Sequence, residues 1–458
     1  MSSPPVAAAS ASGEVDLLIH NALVLTLEPG AAPLPHGFVA IKGSRIAAVG
    51  SAASPGPPIP ARHLLDAQGN LVMPGLVNTH THAAMVWFRG LADDLPLQKW
   101  LNEFIFPAEL GWLDGDKVYW GTLLAAAELI RGGVTTVADS YFYEADARRA
   151  LAKAGLRAVA AQGVVDFPAP GIPDPRDNLK VATEFMESGS ESSPALITST
   201  LFCHSPYTCG PETMQQAKAL TRARRLPFFI HLAETRQEVM ELQKKAGLTP
   251  GAYLESLGLL DELTVAVHGV WLPPGDLELL ARRGVKVSHC PESNLKLAAG
   301  VAPIPELLAQ GVIVGLGTDG AASNNDLDLF GEMSLAARLH KVWRQDPTVL
   351  PAAQTVALAT REGARVLGLE EVIGTLTPGK AADLLVLDLN QAHLTPLFDP
   401  YSHLVYAARA GDVRHVMVGG RWLLIDKELT ALNWPEIAGI INRGSRDLAV
   451  FCRNLSRP

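Results

Sequence analysis

Residues 264–290, TVAVHGVWLPPGDLELLARRGVKVSHC, decide the fold. Two short valine-containing runs flank a longer amphipathic segment, and this pattern predicts a strand, a helix and a second strand. Each strand run reaches a histidine near its end, His268 in the first and His289 in the second. A β-α-β unit of this kind is typical of a parallel sheet.

Six further runs repeat the pattern along the centre of the chain. The eight predicted strands are GLVNTHTH (75–82), VTTVADS (134–140), RAVAAQGVV (157–165), ALITSTLFCH (195–204), PFFIHLAE (227–234), TVAVHGV (264–270), KVSHC (286–290) and VIVGLGTD (312–319). Eight β-α units over roughly 250–300 residues predict a (β/α)₈ TIM barrel of the α/β class. In such a barrel the active site lies at the carboxyl ends of the strands.

The two ends of the chain have a different pattern. Short apolar runs separated by proline and glycine lie between residues 16 and 71 and return in ADLLVLDL and VRHVMVGGRWLLID, which predicts antiparallel strands. We therefore expect a disordered tail over residues 1–15 and a β-sandwich domain built from residues 16–71 and 372–430. The barrel is expected over residues 72–371 and a helical segment over residues 431–458.

The composition restricts the class of partner. The chain has 458 residues, and 38 Lys and Arg stand against 47 Asp and Glu, for a formal charge of −9. A basic surface for nucleic acid or anionic lipid is therefore not expected. No apolar run approaches the ~18 residues that cross a bilayer, and the first fifteen residues lack the features of a secretory signal. The four cysteines form no C-x-x-C pair, so we expect a cytoplasmic protein without disulfides that acts on a small molecule.

Polar side chains stand at the ends of the predicted strands, where a barrel enzyme places its chemistry. His80 and His82 alternate on the first strand, so both imidazoles face the same side. His231 lies near the end of the fifth strand and Asp319 ends the eighth. Three imidazoles and one carboxylate suit Zn²⁺ or Fe²⁺ and leave a position for water.

Activating a water for attack also requires groups that accept and donate protons. We expect Asp319 to accept the proton of the water and Glu234, three residues after His231, to protonate the substrate. His268 could orient the attacking water or could be an ordinary core histidine. His289, beside Cys290, could likewise be functional or merely structural.

Five segments resemble the successive signatures of the 5′-methylthioadenosine/S-adenosylhomocysteine deaminase family, within the mononuclear amidohydrolase superfamily. They are PGLVNTHTHAAMVWFRGLADDLPLQKWLNEFIFPAE, HSPYTC, HLAET, VSHCPESNLKL and GTDGAASNNDLDLFGEM. The similarity runs from about residue 16 to residue 426. The fourth strand run contains no lysine of the kind that bridges two metals in binuclear barrel hydrolases, so we expect one metal per subunit.

The resemblance implies hydrolytic deamination of a 6-aminopurine nucleoside, with release of ammonia and an inosine-type product. It implies that the metal ligands are His80, His82, His231 and Asp319. By the same resemblance Glu234 protonates the purine ring nitrogen, Glu109 accepts hydrogen bonds from the ribose hydroxyls and His204 contacts the base or ribose. It also leads us to expect a homo-oligomer.

The chain departs from the family pattern where a carboxylate-binding arginine is expected. Gln162 stands at the position of the first arginine, and Asp174 at that of the second, with Arg176 two residues further on. Loss of two cations should weaken binding of the homocysteine carboxylate. We therefore expect 5′-methylthioadenosine or adenosine to be preferred over S-adenosylhomocysteine.

Several other functions are compatible with parts of this pattern. A triazine-type chlorohydrolase, or another aminoheterocycle deaminase such as guanine deaminase, would use the same ligands with different pocket loops. A non-catalytic barrel scaffold would have lost some of the ligands, which are all present here. A nucleic-acid deaminase is disfavoured by the acidic charge balance.

Overall fold

The computed structural model describes residues 14–52, 59–192 and 196–455. Its strands are β1 (Val15–Val24), β2 (Leu34–Lys42), β3 (Arg45–Ser51), β4 (Ala61–Asp66), β5 (Leu71–Pro74), β6 (Leu76–Thr81), β7 (Val134–Tyr141), β8 (Arg157–Val164), β9 (Ile197–Cys203), β10 (Phe228–Leu232), β11 (Thr264–His268), β12 (Lys286–His289), β13 (Val314–Leu316), β14 (Leu384–Leu387), β15 (Val413–Val418), β16 (Arg421–Ile425) and β17 (Glu428–Leu429).

The helices are α1 (Leu97–Trp100), α2 (Phe106–Trp112), α3 (Gly115–Arg131), α4 (Glu144–Ala154), α5 (Asn178–Ser192), α6 (Pro211–Arg224), α7 (Arg236–Ala246), α8 (Pro250–Ser256), α9 (Pro274–Arg283), α10 (Pro291–Lys296), α11 (Ile304–Ala309), α12 (Leu329–Arg344), α13 (Ala352–Leu358), α14 (Arg361–Val366), α15 (Pro400–Tyr406) and α16 (Trp434–Leu455). A π-helical turn, Leu101–Ile105, joins α1 to α2. Short 3₁₀ helices lie at Ala83–Phe88, Pro175–Asp177, Ala392–Leu394 and Ala410–Asp412.

Strands β6 to β13 form an eight-stranded parallel sheet in chain order. Hydrogen bonds between its first and last strands bring it close to a closed ring: the Thr79 hydroxyl donates to the Leu316 carbonyl at 2.9 Å. The N–H groups of Thr318 and Asp319 both donate to the His80 carbonyl at 3.1 Å. The predicted TIM barrel is confirmed, and each of its eight strands overlaps a predicted run.

The barrel strands are buried on both faces, as parallel strands covered by helices are. Every residue of β6, β7, β8, β10 and β11 is buried. Helix α3 is one of the covering helices. Asp114 caps its first turn by accepting a hydrogen bond from the Lys117 N–H. The alanine and leucine residues of α3 then pack into the same buried cluster as β7.

The remaining nine strands form a second, mainly antiparallel sheet built from both ends of the chain, as predicted. Its order is β17-β16-β15-β14-β5-β1-β2-β3, with β4 paired to β1, and the pairings of β1 with β4 and β5 are parallel. Backbone hydrogen bonds join all nine strands into one sheet. Its buried core includes Ile19, Val39, Val72, Val386 and Met417.

Two further features concern the chain ends and the surface. Residues 1–13 of the predicted tail, residues 1–15, lie outside the described residues. The last residue of that predicted tail, Val15, is the first residue of β1. No helix in the described ranges is both long and apolar enough to cross a membrane. The domain limits derived from the sequence remain predictions.

Candidate active site

The four predicted metal ligands lie together at the carboxyl ends of the barrel strands. His80 lies in β6, His82 directly follows it, His231 lies in β10 and Asp319 follows β13. Ligand atoms of the three histidines lie within 4.8 Å of one another. An Asp319 Oδ1 atom lies 3.6 Å from His80 Nε2 and 3.3 Å from His82 Nε2. The structure thus brings all four side chains around one point.

The chemistry of these donors fits a divalent cation. The Nε2 atoms of His80 and His231 face each other at 3.2 Å, and the Nδ1 atom of each buried ring has no hydrogen-bond partner among the described residues. Burial lowers the pKa of His80 to about 4 and that of His231 well below its usual value, which favours the neutral form that binds metals. His82 Nδ1 donates to the Ser140 carbonyl, so its Nε2 lone pair is free to face the site.

Asp319 is held by two hydroxyl groups, one from Ser293 in α10 and one from Ser323, four residues further along its own loop. Its Oδ2 atom accepts from Ser293 Oγ at 2.6 Å and from Ser323 Oγ at 3.0 Å. Its Oδ1 atom accepts from the Gly320 N–H at 2.9 Å. These bonds fix the carboxylate so that one oxygen faces the histidines.

Glu234 lies at the edge of this cluster and is buried. Burial, with a smaller effect from the charge of Asp319, raises the pKa of Glu234 to about 8. A carboxyl group with this pKa holds a proton at neutral pH and suits a proton donor. Its Oε2 atom lies 4.0 Å from His268 Nε2.

The two histidines whose roles the sequence leaves open have different surroundings. His268 lines the same cavity, and its Nδ1 atom donates to the amide oxygen of Asn294 at 2.9 Å, which leaves Nε2 on the side of Glu234. His289 instead contacts His340, with 3.4 Å between their Nε2 atoms, and does not line the cavity. These contacts support a function for His268 and a structural role for His289.

The residues expected to contact the nucleoside line the cavity as well. Glu109 in α2 is buried, and its Oε1 atom accepts from the Tyr141 hydroxyl at 2.5 Å. Burial raises the pKa of Glu109 to about 7, although the bond from Tyr141 opposes the rise. His204 lines the wall beside the metal ligands and contacts Thr208 through Nδ1 at 3.0 Å.

The cavity occupies about 900 Å³, including the open space at its mouth. Its outer wall is apolar and rich in aromatic rings; the residues that form it are Leu97, Trp100, Leu101, Ile105, Phe106, Leu110, Phe142, Val165, Phe167, Pro168, Pro170 and Leu297. No lysine or arginine of the described ranges lines it. Within the described ranges, the polar side chains that line the cavity are those of His82, Glu109, Ser140, Tyr141, His204, Tyr207, His231, Glu234, His268, Asp319 and Ser323.

The positions that depart from the family pattern lie outside this cavity. Gln162 is buried; its Oε1 atom accepts from the Glu144 N–H, and its Nε2 atom donates to the Gly163 carbonyl, both at 3.2 Å. Arg176 has an 88% exposed side chain that forms an ion pair with Asp174. Neither position supplies a charge to the cavity.

Sequence reasoning missed several side chains that hold the site in place. Ser293 and Asn294 stand in the quoted VSHCPESNLKL segment, so the signal for them was present but was read only as a family signature. Tyr141 directly follows the second predicted strand and could have been found as a polar strand-end residue. Ser323 likewise stands in the quoted GTDGAASNNDLDLFGEM segment, but its contact with Asp319 depends on the path of the loop after β13.

Residues 71–423 match the model of the amidohydrolase family. This chain belongs to the amidohydrolase family.

Curated relatives extend the similarity over almost the whole chain. The 5-methylthioadenosine/S-adenosylhomocysteine deaminase of Syntrophobacter fumaroxidans is 47% identical over 93% of this chain and 97% of its own length. The 5′-deoxyadenosine deaminase of Methanothermobacter thermautotrophicus is 46% identical over 90% of this chain and 95% of its own.

Solved structures show the same architecture. An adenosine deaminase from Xanthomonas campestris, solved with bound zinc, is 36% identical with a TM-score of 0.92 and covers 95% of this chain and 99% of its own. The atrazine chlorohydrolase of Arthrobacter aurescens, complexed with zinc and atraton, has a TM-score of 0.86 but only 23% identity, over 94% of this chain and 100% of its own. At that identity the likeness to the chlorohydrolase shows the fold alone.

Proposed function

We propose that this amidohydrolase is a hydrolytic deaminase of 6-aminopurine nucleosides that releases ammonia and the inosine-type product. The observation that carries the proposal is a buried Glu234 beside three histidines and an aspartate, in a cavity that Glu109 also lines. Curated relatives that are named as deaminases of adenine nucleosides support this function over a triazine hydrolase. The presence of the whole ligand set argues against a non-catalytic scaffold.

His80, His82, His231 and Asp319 would hold one divalent cation. Zinc is our first choice because the similar adenosine deaminase of Xanthomonas campestris was solved with it, and iron is the alternative. When bound, such a cation lowers the pKa of water at the site and makes hydroxide available at neutral pH.

The protein's own groups then handle the protons. Asp319 accepts the proton of the attacking water, and the hydroxyl of Ser293 keeps its second oxygen in place. Glu234 donates its proton to the purine ring nitrogen next to the carbon that bears the amino group, which makes this carbon more electrophilic. His268, oriented by Asn294, lies beside Glu234 and would hydrogen-bond the attacking water. When the tetrahedral carbon collapses, Asp319 passes the water proton to the amino group, which leaves as ammonia, and the new hydroxyl group returns a proton to Glu234.

The shape and polarity of the cavity suggest how a nucleoside lies in it. Glu109 would accept hydrogen bonds from two ribose hydroxyls, and His204 would contact the base or ribose. The apolar outer wall and the lack of lysine or arginine favour a neutral group at the 5′ position. We therefore propose that 5′-methylthioadenosine, 5′-deoxyadenosine or adenosine is preferred over S-adenosylhomocysteine.

The remaining expectations about partners stay proposals that rest on charge and resemblance. The net charge of −9 supports a free nucleoside over a nucleic acid as substrate. Resemblance to the family supports a cytoplasmic homo-oligomer.

A panel of substrates with ammonia release as the readout tests the proposed function. Adenosine and its two neutral 5′ variants should react faster, by kcat/KM, than S-adenosylhomocysteine, whereas guanine and a chlorotriazine should not react. A higher kcat/KM for S-adenosylhomocysteine would contradict the proposed preference.

Replacement of the proton donor tests the mechanism. Glu234→Gln should lower kcat by roughly 10²–10⁴-fold without changing metal content, because the amide cannot deliver the proton. Glu241→Gln, an exposed carboxylate on α7, is the matched control and should leave kcat unchanged. Full activity of Glu234→Gln would refute the assigned role.

A further inference from the structure

A second buried carboxylate lies directly behind Glu234. Glu238, in the first turn of α7, is 6% exposed and does not line the cavity. Its Oε1 atom accepts from the Ala233 N–H at 3.1 Å, and its Oε2 atom accepts from the Glu234 N–H at 2.9 Å. Both oxygens are thus bound to the backbone that carries the proposed proton donor.

The backbone at this point has a conformation that needs support. Ala233 has φ of +53°, in the left-handed region, where the Cβ atom of an alanine is crowded by the following carbonyl oxygen. The turn takes the chain out of β10 and places Glu234 at the cavity. The N–H groups of Ala233 and Glu234 belong to buried residues, and without Glu238 they would lose these acceptors.

We propose that Glu238 is a positioning residue for deamination: it fixes the left-handed turn at Ala233 and thereby sets where the Glu234 carboxyl group stands relative to the metal ligands. The inference rests on the proposed function, in which Glu234 is the proton donor. Glu238 acts through Glu234 and does not touch the substrate.

Glu238 also contributes to the start of α7, and this second role must be separated from the first. Thr235 is the N-cap of α7, and its hydroxyl accepts from the Glu238 N–H at 3.2 Å. The contacts with Ala233 and Glu234 lie before this N-cap, at the end of the preceding strand.

The isosteric variant Glu238→Gln removes one of the two acceptor oxygens and places an amide donor against a backbone N–H. Displacement of a catalytic group by about 1 Å can cost roughly 10²-fold in rate. We expect kcat to fall about 10- to 100-fold while KM and metal content stay within about twofold. Thr235→Ala is the matched control: it should lower the stability of α7 with kcat close to that of the native protein.

Two combined variants make the test specific. In the Glu234→Gln background, Glu238→Gln should cause no further loss of the residual rate, because the group that it positions is already gone. Ala233→Gly should restore part of the kcat of Glu238→Gln, because glycine adopts a positive φ without strain. The same rescue also supplies a folded protein for the kcat measurement if Glu238→Gln alone folds poorly.

The outcomes distinguish a failure of this inference from a failure of the proposed function. If Glu234→Gln is inactive but Glu238→Gln keeps its kcat, only the role of Glu238 is wrong. An equal loss in Thr235→Ala, or an additive loss in the Glu234→Gln background, would show that Glu238 serves folding alone. If Glu234→Gln is fully active, the proposed proton donor itself is wrong.

Discussion

Glu109 allows a quantitative test of the proposed recognition of the ribose. Its carboxyl group is 4% exposed and faces the cavity. Among the described residues, its one hydrogen-bond partner is the Tyr141 hydroxyl, at 2.5 Å. The carboxylate therefore has acceptor capacity left for the two ribose hydroxyls.

The raised pKa of Glu109 predicts a pH dependence with a definite sign. Burial raises this pKa to about 7, so the group is increasingly ionised as the pH rises from 6 to 8. The ionised form accepts from the two hydroxyls more strongly than the acid form, because bonds to a charged acceptor are the stronger ones, and roughly one tenth of the groups are ionised at pH 6. We expect kcat/KM for the nucleoside to rise about tenfold from this group between pH 6 and pH 8.

Glu109→Gln isolates this contribution. The variant loses hydrogen bonds to a charged acceptor, which are worth about 1.5–3 kcal/mol, so KM should rise about 10- to 150-fold. The rise of kcat/KM between pH 6 and pH 8 that Glu109 causes should also disappear. Glu103→Gln, an exposed carboxylate on the preceding π-helical turn, is the control and should change neither quantity.

Initial rates followed by the ultraviolet absorbance change of the purine give KM and kcat/KM for each variant and pH. A 2′,3′-dideoxynucleoside supplies the second control, because it lacks the hydroxyls that Glu109 would bind. The reasoning is refuted if Glu109→Gln leaves KM within twofold, or if the dideoxynucleoside loses as much from the substitution as the parent nucleoside.

Three further predictions concern the metal, the support of His268 and the junction of the two sheets. A chelator should remove metal and activity together, and addition of zinc or iron should restore the activity. Metal analysis and ammonia release, measured on the same samples, check this prediction. Full activity of the metal-free protein would contradict it. Asn294→Ala should lower kcat about tenfold with little change in KM, because His268 loses the bond that orients its ring; an unchanged kcat would count against a function for His268. Arg157→Ala should lower the free energy of unfolding in urea by about 3–5 kcal/mol, because it leaves the Asp383 carboxylate buried without its ion pair. Removal of the exposed Arg62 should cost less than about 1 kcal/mol, and equal losses would contradict the argument.

The sequence predicted which side chains meet at the candidate site because their placement follows from topology. Once His80, His231 and Asp319 are assigned to the ends of parallel strands, barrel closure brings them to one face without further information. Glu109 is different, since nothing in its local pattern marks it and only resemblance to the family singled it out. The structure places it in the cavity through the helix α2 and the bond from Tyr141.

The surrounding support could not be predicted, because it depends on the paths of the loops. Ser293 reaches Asp319 from α10, and Ser323 turns back onto it from four residues further along the same loop. Gln162 shows the converse limit. By resemblance this position would hold an arginine that contacts the homocysteine carboxylate, and the glutamine side chain is instead bound to the backbone at Glu144. The argument for a neutral 5′ group therefore rests on the whole cavity wall and not on that one position.

Backbone conformation adds a reason why this edge of the barrel carries the chemistry. Ala233, His268 and Asp319 all have positive φ, between +53° and +72°, and all lie at or just beyond the end of a barrel strand. None is a glycine, so the sequence gives no sign of these turns, and each costs conformational energy that neighbouring contacts must offset. Glu238 provides such contacts at Ala233, and Asn294 does so through the side chain of His268. Each of these turns directs a polar group into the cavity. A substitution that relaxes one of them should therefore lower kcat more strongly than it lowers the free energy of unfolding.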